Sequence, residues 1–566
     1  MGLLCLLFFP PSYFAPAICT GSSDFTNPIP SPDPFLLNPE SVLRLARDYR
    51  ASYRIPIRIP RSARFSAAKA LSALIESVIC VQSIPNWNRL FCFAIFALGS
   101  PVQGLGSVKS LSSSIKENIN KFMEDSFILP PLLGKSHEPT TLKDNRIRLR
   151  KRVNSCLMAH DVGSAVRILS SSDSVRSITP DVLKILSAKH PAGDVPAFCA
   201  RTPEEVSIAS SSVQQLLFAL KSFRGNSSGG VDGLRPIHLM DLISNTAEAG
   251  NRLSQSIAKL CNLFLRGDIS EHARLLFFSA NLSALGKKDG GIRPIAVGNV
   301  FCRLFAKVGC KLVIPSISDE LQPIQLGVGV PGGCEASVHA ARCFIESARL
   351  SERPQLLLKL DVKNAFNSLN RKHLLEVCKA RIPSLLPFIF LSYGNPSLLV
   401  AGDSFISSSC GVQQGDPLGP LLFALSVDFV ARRIASPLNI WYLDDCTIGG
   451  PPDILLNDLQ SLLPALSSIG LEINSLKSEI VNLNVEDLTF EDLFAQFRGL
   501  LPDLRQTSHS ELEILGAPIH HQSVSRILDS KRNALASLCD KLVDIDPHPA
   551  FFILKNFLLI RGSIMS

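Results

Sequence analysis

Apolar positions recur at helical spacing from about Ser41 to Leu98, in SVLRLARDYR and SAAKALSALIESVI, and predict packed helices there. Helical patterns resume in DVGSAVRILSS and TPDVLKILSAKHP, whose polar starts read as N-caps. The character changes near Ser222. FRGNSSGGVDGLRP reads as a flexible Gly/Ser loop, and IHLMDLI opens a long helical stretch to about Phe278. From there short β-like runs alternate with helices: ANLSAL, IRPIAV, QLLLKLDV, SLLVAG, IWYLDD, CTIGG and SEIVNLN. After QLLLKLDV, the stretch KNAFNSLNRKHLLEVC reads as a helix. This mixture predicts an α+β domain built on an antiparallel sheet, and no internal repeat is visible.

Three regions break the pattern. Residues 1–40 hold eight prolines among serines and asparagines and read as a disordered lead. GSPVQGLGSVKSLSSS reads as a linker. LKDNRIRLRKRVNSCL sets Lys143, Arg146, Arg148, Arg150, Lys151 and Arg152 against Asp144 alone. That run is either a solvated helix face or a phosphate-contacting patch.

Composition narrows the class. At 566 residues the chain is too long for one small core. With 46% hydrophobic and 19% charged residues it is globular rather than disordered. The net charge of +8 suits a polyanionic partner without requiring one. Fifteen cysteines show no CxxC pair and no zinc-ligand spacing, which fits reduced, buried thiols of an intracellular protein. The start MGLLCLLFFPPSYFAP resembles a signal peptide only in its apolar run: no Lys or Arg precedes Arg44, and Pro10-Pro11 interrupt it, so the chain is not expected to be secreted. LFCFAIFALG and LLPFIFLSY are too short for membrane spans.

The stretch that carries chemistry is NIWYLDDCTIGG, with Asp444 and Asp445 side by side between apolar runs. One reading is an acidic two-residue hairpin turn. The other is a metal site, which needs a further carboxylate from elsewhere. Asp361 ends the strand-like run QLLLKLDV and opens onto a loop, from which it can reach a neighbouring hairpin. Such a trio suits paired Mg²⁺ ions about 3.5–4 Å apart, which activate an attacking hydroxyl and stabilise the leaving oxygen in phosphoryl transfer.

LDVKNAFNSLN, GVQQGDPLGPLLFAL, WYLDD and GLEINSLKSEI, in that order, resemble the palm motifs of a reverse transcriptase and are most similar to those of the non-LTR retrotransposon type. SSGGVDGLRP resembles the extra motif before the fingers, SALGKKDGGIRPIAV the fingers hairpin and LEILGAPI the primer-grip region. The resemblance covers about residues 215–520. It implies a right-hand polymerase fold with fingers and palm over 201–520, a truncated thumb over 521–566, and a mainly helical N-terminal extension over 41–200. It also implies an RNA-directed DNA polymerase using Mg²⁺ or Mn²⁺, with an RNA template, a DNA primer or target DNA and dNTPs as partners.

Carried onto this chain, the resemblance makes Asp361 and Asp444 the principal metal ligands, with Asp445 in support and the Val362 carbonyl facing a metal. Phe366 takes the place of the aromatic under the incoming sugar, where a ring excludes a 2′-hydroxyl; a core phenylalanine fits the same position. Gln414 and Gly415 match the loop along template and nucleotide, although QQGDPLGP also suits a plain turn. Lys287, Lys288 and Arg293 flank DGG on the fingers hairpin, as triphosphate clamps or as an ordinary exposed turn. Lys477 is the candidate acid or charge stabiliser at the leaving pyrophosphate, and Tyr442 either touches the primer end or packs. The chain shows no recognisable endonuclease or ribonuclease H motif, so a nuclease is expected to be absent or supplied in trans. The expected place of action is the nucleus. Three alternatives stand beside the polymerase: an inactive relic that only binds nucleic acid, an RNA-dependent RNA polymerase, and an unrelated structural protein.

Overall fold

Strand Leu356–Asp361 carries the sequence LLLKLD, buried throughout except at Lys359 and Asp361. A strand with this pattern is covered on both faces at one end and open on one face at the other. The computed structural model, which describes residues 34–101, 110–132, 142–158, 161–170, 175–198, 206–244, 247–287 and 290–555, places it at the centre of a five-stranded sheet. The order is Arg505–Gln506, Glu479–Asn482, Leu356–Asp361, Asp445–Gly450, Leu438–Tyr442. All neighbours are antiparallel except the outer pair Glu479–Asn482 and Arg505–Gln506.

Strand alternation divides the side chains between two cores. Leu358, Leu360, Trp441, Cys446, Ile448 and Ile480 share one face and enter the main core. Leu357, Ile440 and Val481 share the other and form a smaller core with Val338, Ala341 and Ile345 of the Gly333–Arg349 helix. Lys359, Asp361, Tyr442, Asp445, Thr447 and Glu479 lie on this second face, beyond its apolar part.

The second sheet runs Val175–Arg176, Ala280–Gly286, Ser397–Ala401, Ser404–Ser408, with Ile292–Gly298 also paired to Ala280–Gly286. The α+β expectation thus matches the structure.

Helices Pro39–Ser52, Arg61–Cys80, Ile84–Leu98 and Leu111–Met123 form the N-terminal part. They do not build a core of their own. Trp87 meets Phe277 at 5.4 Å between ring centroids, and Phe264 meets Phe305 at 5.2 Å, so one apolar core runs from residue 35 past residue 300. The expected boundary near residue 200 is therefore not a boundary of packing, and Val175–Arg176 even joins the second sheet.

Other expectations change as well. Within the proposed disordered lead, Phe35 is buried against Phe122 and Pro39 already begins a helix; residues 1–33 lie outside the described residues. The linker ends at Ser110, whose hydroxyl caps Leu111–Met123; residues 102–109 are outside the described set. The loop expected to be flexible holds Gly230, Val231, Asp232 and Gly233 buried. The helix expected after Asp361 is broken: Asn364 sits at φ 51°, Ala365–Ser368 makes one turn, and Asn370 caps the separate helix Arg371–Arg381. Asparagine tolerates the left-handed region and caps well, and both properties favour the break.

The segment expected to be a truncated thumb forms helices His521–Leu542 and Pro547–Ile553. Leu538, Leu542, Ile545 and Ile553 pack with Val153, Cys156, Val166 and Leu169, so this segment shares a small core with residues from the basic-run helix Leu142–Met158 and from Val162–Ser170. Arg150 in that helix pairs with Asp546 at 3.3 Å; the side chains of Lys143, Arg146 and Arg148 lie outside the described ones. The twelve described cysteines are all free thiols. Among the described residues no helix is long and apolar enough to cross a membrane.

The tie between the N-terminal helices and the rest converges on Asp241. Its carboxylate, 1% exposed, accepts from Arg58 at 2.6 Å and lies 3.0 Å from buried Arg64, and it also takes the Ile59 N–H at 3.1 Å. Removing one partner of such a cluster leaves a buried charge uncompensated. Asp241→Ala is expected to destabilise the protein by about 3–5 kcal/mol, read as a lower denaturation midpoint in urea.

Candidate active site

The antiparallel register sets Asp445 directly opposite Asp361, and Asp445 is also the partner of Tyr442. Cross-strand partners project from the same face with their Cβ atoms about 5 Å apart. Tyr442 and Asp445 bracket a two-residue turn, Leu443-Asp444, in which Leu443 has φ 58°. The sequence expectation of two aspartates at a hairpin tip is thus refined: Asp444 lies in the turn, whereas Asp445 is the first residue of the returning strand.

Three carboxylates at close quarters disfavour ionisation of one another. Burial first, and then Asp445 and Asp361, push the Asp444 carboxyl up to about 6, while Arg293 acts in the opposite sense. Arg293 stands exposed on the fingers strand Ile292–Gly298, so the charge of that hairpin reaches the acidic turn. Burial and Asp361 also raise Asp445, and Lys359 offsets part of that.

Asp361 is fixed by neighbours that sequence reasoning passed over. Its Oδ2 accepts from Asn474 Nδ2 at 2.9 Å, its carbonyl accepts from the Asn474 N–H at 2.7 Å, and its N–H donates to Ser478 Oγ at 3.2 Å. Both residues lie in GLEINSLKSEI, in which the resemblance points to the lysine alone. A polar residue three before that lysine was the available signal. Val362 pairs with Ile473 in an antiparallel bridge whose hydrogen bonds belong to its neighbours: Lys363 N–H to Glu472 O at 2.8 Å, and Asn474 N–H to Asp361 O. In that arrangement the carbonyl of Val362 turns to the other side, that of the acidic hairpin.

Asp361, Tyr442, Asp445 and Lys477 line one open cleft of about 940 Å³, together with residues of the Glu513–Ile514 hairpin. Lys477 is exposed at the end of a short 3₁₀ turn, Ser475–Lys477. Phe366 is half-buried and stacks on Phe423, with ring centroids 5.0 Å apart, so the packing role and an exposed edge coexist.

Gln414 and Gly415 lie against the fingers strand. The Ala296 N–H donates to Gln414 O at 2.9 Å, and a Cβ on Gly415, which has φ 122°, would stand 2.3 Å from Ala296 O. Only glycine fits there. From below, Tyr393 donates its hydroxyl to Asp416, whose other oxygen accepts the Leu418 N–H at 3.0 Å. Lys287 closes the fingers hairpin through its N–H to Gly291 O at 2.8 Å; Lys288 lies outside the described residues.

Among the described residues no three His, Cys, Asp or Glu side chains already stand in a ligand arrangement. Mg²⁺ is usually held by one or two carboxylates plus waters and substrate phosphates rather than by a complete protein cage. The donor set is all oxygen, and the charge accumulated on it is what a divalent cation would relieve.

A strand-borne acid paired across the register with a second, beside an acidic turn and under a fingers hairpin, defines the palm of a right-hand polymerase. Residues 285–519 match the family described as reverse transcriptase (RNA-dependent DNA polymerase) and are a reverse transcriptase domain of the non-LTR retrotransposon type. The chain is similar to the retrotransposable element SLACS 132 kDa protein of Trypanosoma brucei gambiense, with 26% identity over 41% of this chain and 20% of that protein. It is also similar to the Pol polyprotein of the type-2 retrotransposable element R2DM of Drosophila melanogaster, with 24% identity over 46% of this chain and 25% of that one. A third relative, the Pol polyprotein of a type-1 element R2 of Nasonia vitripennis, is 27% identical over 35% of this chain and 20% of its own length. The matched part thus spans a fifth to a quarter of these relatives.

The Asp444 shift fixes the sign of a pH effect. Its pKa in the fold lies above the unfolded value of about 3.9, so the folded state binds the proton more tightly. In divalent-free buffer, stability from this group is fully present below about pH 4 and falls as pH rises towards 6. Asp444→Asn should flatten that slope and raise stability at pH 7 by on the order of 2 kcal/mol, measured by urea denaturation at pH 5 and pH 7 with EDTA.

Proposed function

We propose that this chain is an RNA-directed DNA polymerase of a retrotransposable element, adding deoxynucleotides to a primer 3′-hydroxyl. The cross-strand placement of Asp361 and Asp445 beside the Asp444 turn carries the reading, and the reverse transcriptase match over the same residues supports it. RNA template, DNA primer or target DNA, and dNTPs are the partners this activity requires.

Each group has a task. Asp361, Asp444 and the Val362 carbonyl would hold the divalent cations, Mg²⁺ or Mn²⁺, with Asp445 in support. When bound, these supply charge neutralisation at the attacking and leaving oxygens. Asn474 and Ser478 hold Asp361 at the edge of the cleft, so its carboxylate need not reorganise when substrate arrives. Arg293 and Lys287 would offer positive charge to a triphosphate from the fingers hairpin, and Lys477 lines the cleft together with Asp361 and Asp445. Phe366, braced by Phe423, offers a ring edge against a 2′-hydroxyl. The Gln414-Gly415 backbone, pinned to Ala296, gives template and nucleotide a close, smooth wall.

The deciding experiment is primer extension on an RNA template with purified protein, Mg²⁺ and dNTPs. Incorporation is expected, with a loss of at least about 10²-fold in Asp444→Ala, since removing one electrostatic group of this kind costs about 10²–10³-fold. Binding of an RNA–DNA duplex without any incorporation would overturn the proposal in favour of an inactive nucleic-acid binder. Phe366→Ala should relax discrimination against ribonucleotides by about 10–100-fold, measured as the ratio of kcat/KM for dNTP and rNTP; an unchanged ratio would return Phe366 to a packing role alone.

A further inference from the structure

The acidic turn contains a conformational anomaly. Leu443, between Tyr442 and Asp444, has φ 58°, a left-handed backbone that branched aliphatic residues rarely adopt. Nothing in the turn's own sequence favours it, because neither central residue is glycine or asparagine. Such a conformation persists only where surrounding structure imposes it.

The imposing group is a glutamine more than a hundred residues earlier. The Leu443 N–H donates to Gln325 Oε1 at 2.8 Å, and Gln325 Nε2 donates to the Leu443 carbonyl at 3.3 Å. One primary amide thereby grips both polar groups of a single backbone residue. Its orientation is unambiguous, since Oε1 also accepts the Gly327 N–H at 3.1 Å and so faces two donors, while Nε2 faces an acceptor.

Gln325 is 1% exposed, and its backbone is tied to the strand that leads into the turn. The Trp441 N–H donates to Ile324 O and the Leu326 N–H to Trp441 O, both at 2.8 Å, which makes residues 324–326 a parallel border to Leu438–Tyr442. Gly327 completes the fit: a Cβ there would lie 2.8 Å from the Leu443 nitrogen and from its Cγ.

We infer that Gln325 is a positioning residue for the polymerase reaction, holding Leu443 in its left-handed conformation and thereby aiming Asp444 at the site shared with Asp361. The inference rests on the polymerase reading for its consequence, though not for the grip itself. Gln325 touches no reacting atom. Without it the turn relaxes towards an ordinary backbone, Asp444 swings away, and the strand pairing of Asp445 with Asp361 remains. The nucleotide is still bound by the fingers and the Gln414-Gly415 loop, so the loss falls on the chemical step rather than on binding.

The test compares wild type, Gln325→Ala, Leu443→Gly and the double variant by two readouts. Hydrogen exchange over residues 439–448 needs no activity. Gln325→Ala should speed exchange at the turn at least about tenfold while the Glu479–Asn482 strand keeps its protection. Single-nucleotide incorporation should then fall by about 10–100-fold in kcat, with the dNTP KM within about twofold of wild type. Glycine accepts φ near 58° without help, so adding Leu443→Gly should recover at least about fivefold of the rate lost in Gln325→Ala; a merely structural role for Gln325 would not be rescued this way.

Unchanged exchange at the turn would overturn the grip, whether or not the enzyme is active. Faster exchange with an unaltered rate, or a lost rate that glycine does not restore, would overturn the positioning role. An inactive wild type would sink the polymerase reading and with it the consequence for chemistry, leaving exchange to report on the grip alone.

Discussion

Asp361 and Asp445 face each other across two antiparallel strands, and that register constrains the rest of the structure. Like charges opposite one another in a partly buried sheet repel, and a sheet free to slip by one residue would relieve the repulsion by turning one carboxylate to the other face. Slippage is prevented by the opposite surface of the same strands. Leu358, Leu360, Cys446, Ile448 and Trp441 are buried in the main core, and a one-residue shift of any one strand would turn its share of them away from that core. The apolar face of the sheet therefore fixes the geometry of its acidic face.

The main core is large because the N-terminal helices contribute to it. Trp87 and Phe91 interlock with Phe264 and Phe277, Phe264 in turn meets Phe305, and Asp241 ties Arg58 and Arg64 to the helix Pro236–Ser244. Burial on this scale offsets the local costs of the site: a raised Asp444 carboxyl, a left-handed leucine, and a half-buried Asp416 whose carboxyl desolvation also pushes upwards. Those costs sit on the short loops that the fingers and palm elements hold in place, which is where strain in a rigid scaffold is tolerated.

Much of this was legible in the sequence, for reasons that can be stated residue by residue. Period-two and period-3.6 patterns located the strands and helices because four of the five strands of the central sheet, all but the exposed Arg505–Gln506, have a face against a core. The nearness of Asp361 to Asp445 was legible because Asp361 ends a strand-like run and the motifs around both positions resemble, in order, those of one family. What escaped were features set by contacts distant in sequence. Asn474, Ser478 and Gln325 are ordinary polar residues whose importance comes from a single partner. The break after Ser368 depended on Asn370 serving as a cap rather than as a mid-helix residue. The buried loop at Gly230 to Gly233 read as flexible because glycines signal freedom, whereas here they permit close approach: a Cβ on Gly230 would stand 2.8 Å from the backbone of Asn299.

The division between the two faces of the sheet also explains the placement of the cleft. On the second face the small core of Leu357, Ile440 and Val481 covers only the end of the strands away from the acids, and the Glu513–Ile514 and Ala517–Pro518 hairpin borders the remainder. Extending that core by one more pair along the strands would reach Lys359 and Thr447, and then Asp361 and Asp445 themselves. Covering the carboxylates would leave charges buried without solvent or partner, at a cost of several kcal/mol for each ion. The face is therefore closed where leucine, isoleucine and valine stand and open where lysine, glutamate and aspartate stand. The same alternation that builds the sheet thus leaves room beside its acidic end for a chain that carries negative charge and the cations to balance it.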